Sequence, residues 1–167
     1  LGERHDGHSL LTNNAATANA EAMLGKWQHP DLHFSYPVIR PKGASSDRKI
    51  TSDDFAKEWR TLIGKTPYFT MDQWMTAMDA ENQQAAIFEA ESDALAHMLN
   101  MKSAMGGYKV SLIWLPERMN ITSANKLLKL LEEPPSQTVF LLVSEEPERL
   151  LETIRSRVQR FDVHRID

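Results

Sequence analysis

The chain has 167 residues, 41% hydrophobic and 25% charged, with 19 Lys and Arg against 23 Asp and Glu for a net charge of −4. That length and apolar content suit one well-cored domain, and the acidic balance excludes a strongly basic, charge-driven nucleic-acid binder, so contact with DNA must be local or come through partners. There is no cysteine, which excludes disulfides and thiolate metal sites; no apolar run approaches the roughly 18 residues of a spanning helix, nothing at the start reads as a signal peptide, and a cytoplasmic location is expected.

The chain opens on Leu1 with a polar stretch, LGERHDGHS, and its true beginning is expected to lie upstream. Residues 13–26, NNAATANAEAMLGK, are Ala-rich with a weak helical pattern that ends at His29-Pro30-Asp31, because proline restricts the residue before it. LHFSYPVI, residues 32–39, alternates and carries β-formers, which predicts a strand. The following RPKGASSDRKITSDD, residues 40–54, is turn-rich and polar and reads as a solvent-exposed insertion. Phe55, Trp59, Leu62 and Ile63 fall at helical spacing behind Asp53 or Asp54 as cap. Further helices are expected over residues 71–78 and 89–101, the second with Ala94, Leu95, Met98 and Leu99 on one stripe and Gly106-Gly107 closing the unit.

KVSLIWLP, from Lys109, has the unbroken apolar character of a strand covered on both faces. The next segment puts Ala124, Leu127, Leu128 and Leu131 on one helical stripe and stops at Pro134-Pro135, neither of which donates a backbone hydrogen bond. TVFLLVS, residues 138–144, reads as another buried strand, and a helix beginning near Pro147 should turn Leu150, Leu151 and Ile154 inward. Strands alternating with helices predict an α/β fold with a mostly parallel sheet and helices on both sides. There is no internal repeat.

The stretch GGYKVSLIWLPERMNITSANKLLKLLEEPPSQTVFLLVSEEPERLLETIRSRVQRF resembles the second half of the ATPase-like domain of bacterial clamp-loader subunits of DNA polymerase III, and within that family is most similar to the delta-prime group. LLKLLEEPP followed by a strand and TIRSR is its most specific part; His29-Pro30-Asp31-Leu32 is also similar to the family, where such a motif follows a small zinc module. The likeness is continuous over residues 108–161 and patchy over 15–32, while 40–84 finds no place on the general family pattern and is expected to be a lineage-specific insertion. The resemblance implies a three-layer AAA+ (P-loop NTPase-like) domain whose N-terminal part is missing here, with lid and collar domains downstream. It also implies an open ring, shared with gamma/tau and delta subunits, that uses ATP to load the sliding clamp onto primed DNA.

Site residues follow from the same resemblance. A Ser-Arg-Cys motif in the family supplies an arginine finger to the nucleotide of the adjacent subunit; here it reads Ser156-Arg157-Val158, which makes Arg157 the finger. The task requires a permanently charged, fork-shaped guanidinium aimed at the γ-phosphate. The plain alternative is that Arg155, Arg157 and Arg160 are surface charges pairing with Glu146, Glu148 or Glu152. An active ATPase of the family ends a buried strand in Asp-Glu, one acid serving magnesium and the other orienting water. Trp114 and Leu115 occupy those positions, and Glu117 comes two residues too late, so the chain is expected not to hydrolyse ATP.

There is no GxxxxGK[ST]; Lys26 and Lys65 each follow a glycine but lack the earlier one, and both read as turns. Ser144 matches the polar sensor position, degenerate here and otherwise a strand-end cap. The zinc-cysteine register falls on Ala15, Ala18 and Glu21, and His5 with His8 would make only a weak site, so neither metal nor cofactor is expected. Glu132-Glu133 and Glu145-Glu146 read as solvated turn carboxylates. The expected role is a non-hydrolysing structural subunit that donates Arg157 in trans; the alternative is the ATP-hydrolysing gamma/tau subunit, against which Trp114-Leu115 discriminates. The absent nucleophile elbow and catalytic loop argue against an unrelated hydrolase or kinase-like domain.

Overall fold

The structure, a computed structural model, describes residues 15–164. In chain order these form α1 (Ala15–Gly25), β1 (Leu32–Ser35), a 3-10 turn (Ser52–Phe55), α2 (Ala56–Lys65), α3 (Met71–Ala77), α4 (Glu89–Asn100) and β2 (Lys109–Trp114). A 3-10 turn (Pro116–Arg118), α5 (Ile121–Glu132), β3 (Thr138–Val143), a third 3-10 turn (Pro147–Arg149) and α6 (Glu152–Arg155) complete them. The strands make a three-stranded parallel sheet in the order β1-β2-β3, with Phe34 opposite Leu112 and Ile113 opposite Leu142. No helix among the described residues is long and apolar enough to cross a membrane.

The two-residue period of β2 divides the core. Trp114 and Leu112 face one side, where Tyr36, Val38 and Ile50 join Trp59 and Ile63 of α2 and Trp74 and Met75 of α3. Ile113 faces the other, against Leu95 and Leu99 of α4, Ala124 and Leu127 of α5, and Ile154 of α6. Helices thus cover β2 on both faces, the α/β sandwich that alternating elements predict. The stretch 40–84, expected as an insertion, contributes Ile50, Trp59, Ile63, Trp74, Met75 and Met78 to the first cluster. Its leading part is mostly exposed, as a polar turn-rich segment should be, up to buried Ile50.

Several elements differ from expectation for identifiable reasons. β1 ends at Ser35 because the buried residues after it bond elsewhere: Tyr36 N–H donates to Ser52 Oγ at 2.9 Å, and Val38 pairs antiparallel with Ala86. Asp54 does not cap α2 directly; its Oδ2 accepts from Thr51 N–H at 2.9 Å, at the start of the 3-10 turn. The inward face of α4 is rotated from the apolar stripe, with Glu91, Ser92, Leu95 and Leu99 buried while Ala94 is exposed. The helix stops at Asn100 without help from glycine, because buried Lys109 donates its Nζ to the carbonyls of Leu99 and Met101, a cation on orphan acceptors at a helix C-terminus.

β3 is not buried on both faces: Phe140 and Leu142 pack inward, but Val139, Leu141 and Val143 are 39%, 47% and 47% exposed, since no described helix covers that side of the edge strand. The helix expected from Pro147 is a 3-10 turn followed by the single turn of α6.

Candidate functional site

Trp114 and Leu115 stand at the carboxyl end of β2, the edge where open α/β sheets bind ligands. Trp114 is 8% exposed, its ring centroid 5.6 Å from Trp59 and 5.1 Å from Phe69. Leu115 is 2% exposed and left-handed, with φ 55°, and its N–H donates to Val143 at 2.8 Å. An indole and an isobutyl group present no oxygen to a cation or to water, so these two side chains could not ligate magnesium. Glu117, the next acid along the chain, uses one oxygen structurally: Oε1 accepts from the N–H groups of Glu145 at 2.9 Å and Glu146 at 3.1 Å, tying the turn after β2 to the turn after β3, while Oε2 is buried without a partner among the described residues. Ser144 lies on the same edge, but its buried Oγ has no partner among the described residues, so it is not a strand-end cap.

Arg157 sits elsewhere. α5 leaves the carboxyl end of β2 and, over 12 residues, carries the chain about 18 Å back towards the start of β3. Arg157 Nη2 lies 2.6 Å from Oε1 of Glu132, the last residue of α5. The guanidinium is therefore at the opposite edge of the sheet from Trp114, Leu115 and Ser144. Its backbone is fixed by a hydrogen bond from Arg157 N–H to Ile154 O at 3.0 Å, and Ile154 is 1% exposed in the core. None of Glu146, Glu148 and Glu152 pairs with it; Glu146 pairs with Arg149, and Arg160 with Asp162. Glu132 is thus an ion-pair partner and not a purely solvated turn carboxylate. Ser156 Oγ donates to Thr153 O at 3.0 Å, while Val158 is half-buried.

The remaining candidates are dispersed. Lys26 is an exposed turn residue, but Lys65 is the last residue of α2 and not a turn. Ala18 and Glu21 are exposed on α1, and His5 and His8 lie outside the described residues. Among the described residues no group of three or more His, Cys, Asp and Glu could hold a metal ion.

Two buried acids escaped the sequence reading. Glu91 is 2% exposed; Oε1 accepts from Ser35 Oγ at 2.6 Å and lies 3.1 Å from His33 Nε2, and Oε2 accepts from Ser52 N–H at 2.7 Å. Burial alone would raise its pKa, but the bonds from His33, Ser35 and Ser52 outweigh it and hold the carboxyl below its ordinary value. Asp31 accepts from Ala104 N–H at 2.7 Å, Met105 N–H at 2.9 Å and Ser103 Oγ at 2.9 Å, and against the opposing effect of burial these bonds also lower its pKa. Asp31 thereby pins the loop before β2 to the start of β1, which gives the HPDL segment a structural task. The signal for Glu91 was its spacing of four from Leu95 and eight from Leu99, which puts an acid in line with the buried face.

The profile of the family described as DNA polymerase III, delta subunit, matches residues 14–167. The chain is 57% identical over 53 residues to DNA polymerase III subunit delta′ of Pseudomonas aeruginosa, a match covering 32% of this chain and 16% of that protein. It is 51% identical over 61 residues to subunit delta′ of Escherichia coli, covering 35% of this chain and 18% of the relative. Over 59 residues it is 48% identical to subunit tau of Bacillus subtilis, covering 35% of this chain and 10% of tau. The matched stretches thus cover less than a fifth of the length of these curated relatives. The solved structure of a DNA polymerase III gamma subunit-related protein from Thermotoga maritima overlaps it with a TM-score of 0.46 and 33% identity, over 48% of this chain and 27% of that one. With the profile running through every described element, the chain belongs to the DNA polymerase III delta-subunit family, among the clamp-loader delta′ proteins.

Proposed function

We propose that the chain serves as a non-hydrolysing structural subunit of the DNA polymerase III clamp loader. In this reading it supports ATP-driven loading of the sliding clamp onto primed DNA and donates Arg157 in trans to nucleotide held by a neighbouring gamma/tau subunit. The carrying observation is the carboxyl end of β2, where Trp114 and Leu115 are core residues in the positions that magnesium and water chemistry would need as acids. The location of Arg157 supports the second half. A guanidinium at the far edge of the sheet from its own chain's Trp114 is badly placed to act in cis, which favours action on a neighbour's nucleotide. Gamma/tau and delta subunits are the direct partners, and the clamp and primed DNA are reached through the assembled complex.

The ATP-hydrolysing gamma/tau role has the similarity to subunit tau on its side, but it requires the acid pair. ATP turnover by the chain alone separates the two: none above a buffer blank is expected, and turnover above it would overturn the non-hydrolysing reading.

A further inference from the structure

Arg157 is held from two sides. Nη2 pairs with Glu132 Oε1 at 2.6 Å, and Nη1 donates to Thr153 O at 3.0 Å and lies 3.4 Å from Ser156 Oγ. The Arg157 and Glu132 side chains are 36% and 40% exposed, and ion pairs that open to water add little to stability. What the contacts fix is direction. An unrestrained arginine samples many rotamers, whereas a carboxylate at ion-pair distance from Nη2 and a carbonyl accepting from Nη1, one on α5 and one on α6, leave it few. The neighbouring arginines lack this arrangement: Arg160 pairs with Asp162 on its own tail, and Arg155 makes no ion pair among the described residues.

The placement of Glu132 points the same way. It occupies the last turn of α5, where a carboxylate faces the negative end of the helix dipole and is unfavourable by itself. Arg157 offsets that repulsion, so the pair makes electrostatic sense where the lone acid does not. Both supports are tied to the core: α5 by Leu127, 0% exposed, and α6 by Ile154, 1% exposed. The contacts also leave guanidinium N–H groups unused, because the fork carries more donors than these acceptors engage.

We propose that Glu132 is a positioning residue for Arg157, presetting the guanidinium so that its unused N–H groups meet a phosphate oxygen on the adjacent subunit. This rests on the reading of Arg157 as a finger given above. A side chain ordered before contact loses less entropy on reaching the developing charge, so the benefit falls on turnover and not on substrate affinity.

The test is steady-state ATP hydrolysis by the chain reconstituted with gamma/tau and delta subunits, carrying Glu132→Ala, Glu132→Gln, Glu132→Lys or Arg157→Ala, with thermal melting of each variant alongside. Glu132→Ala lowers kcat at the adjoining site by about tenfold with KM for ATP unchanged. Glu132→Gln, which keeps an acceptor in place, restores most of it, and Glu132→Lys, which repels the guanidinium, is at least as damaging as Ala; melting changes only slightly in all, because exposed ion pairs and helix-end charges add little to stability. If Arg157→Ala lowers kcat while Glu132→Ala and Glu132→Lys leave it unchanged or raise it, the positioning role is wrong and the finger stands. If Arg157→Ala itself has no effect, the finger reading fails and this inference with it.

Discussion

Ser35 Oγ on β1 donates a 2.6 Å hydrogen bond to Glu91 Oε1 on α4, joining the sheet edge to a helix through a carboxylate that is almost fully enclosed. Ser52 N–H reaches the other oxygen from the 3-10 turn before α2, so one acid ties together three segments that are distant in sequence. Because the folded carboxyl titrates below its ordinary value, Glu91 contributes stability that is present above the unfolded pKa and lost as pH falls through the folded one. At neutral pH Glu91→Gln should destabilise the chain by about 1–3 kcal/mol, the cost of weakening bonds to a buried charged acceptor. The gap between wild type and variant should close below about pH 4. Denaturation midpoints measured across that range check it; a gap that does not vary with pH would mean that Glu91 is not ionised in the fold.

Asp31 acts locally. Asp31→Ala removes the acceptor for Ala104 N–H, Met105 N–H and Ser103 Oγ. A cost of about 1–3 kcal/mol is expected, with faster amide hydrogen exchange at Ala104 and Met105 than in wild type. Unchanged exchange at those two amides would remove Asp31 from its role as the anchor of this loop.

The α5 stripe supplies a graded test. Leu127 is 0% exposed, whereas Leu128 is only partly buried against the same cluster. Leu127→Ala should cost about 2–5 kcal/mol and Leu128→Ala distinctly less. Chemical denaturation of the two variants side by side decides it, and equal costs would contradict the orientation of α5.

The elements that were legible in the sequence are those whose local pattern and tertiary setting agree. β2 reads as central because an unbroken apolar run is what burial on both faces requires, and Trp114-Leu115 could be recognised as non-acidic from identity alone. β3 has much the same composition, yet its alternate residues are exposed, and a run of Val and Leu does not reveal whether a helix covers it. Glu91 was hidden because apolar-stripe reasoning discards acids, while the partners that make its burial tolerable lie 56 and 39 residues away at Ser35 and Ser52. Arg157 was picked out by the Ser-Arg motif, but its pairing with Glu132 depends on how α6 packs against α5, which spacing along the chain does not encode.

The most direct measurement of the central claim is the ATPase rate and clamp-loading rate of a complex reconstituted from gamma/tau, delta and this chain carrying Arg157→Ala, with Arg155→Ala as control. Removing the Arg157 guanidinium should leave assembly intact and, on the proposed role, lower hydrolysis at the adjoining site by up to about 10³-fold, with the bulk rate falling less because other sites in the ring keep working. Arg155→Ala, an exposed residue without an ion pair among the described residues, should leave both rates near wild type. Rates unchanged by Arg157→Ala, or a collapse with Arg155→Ala instead, would contradict a clamp-loader subunit that works by lending Arg157 to its neighbour.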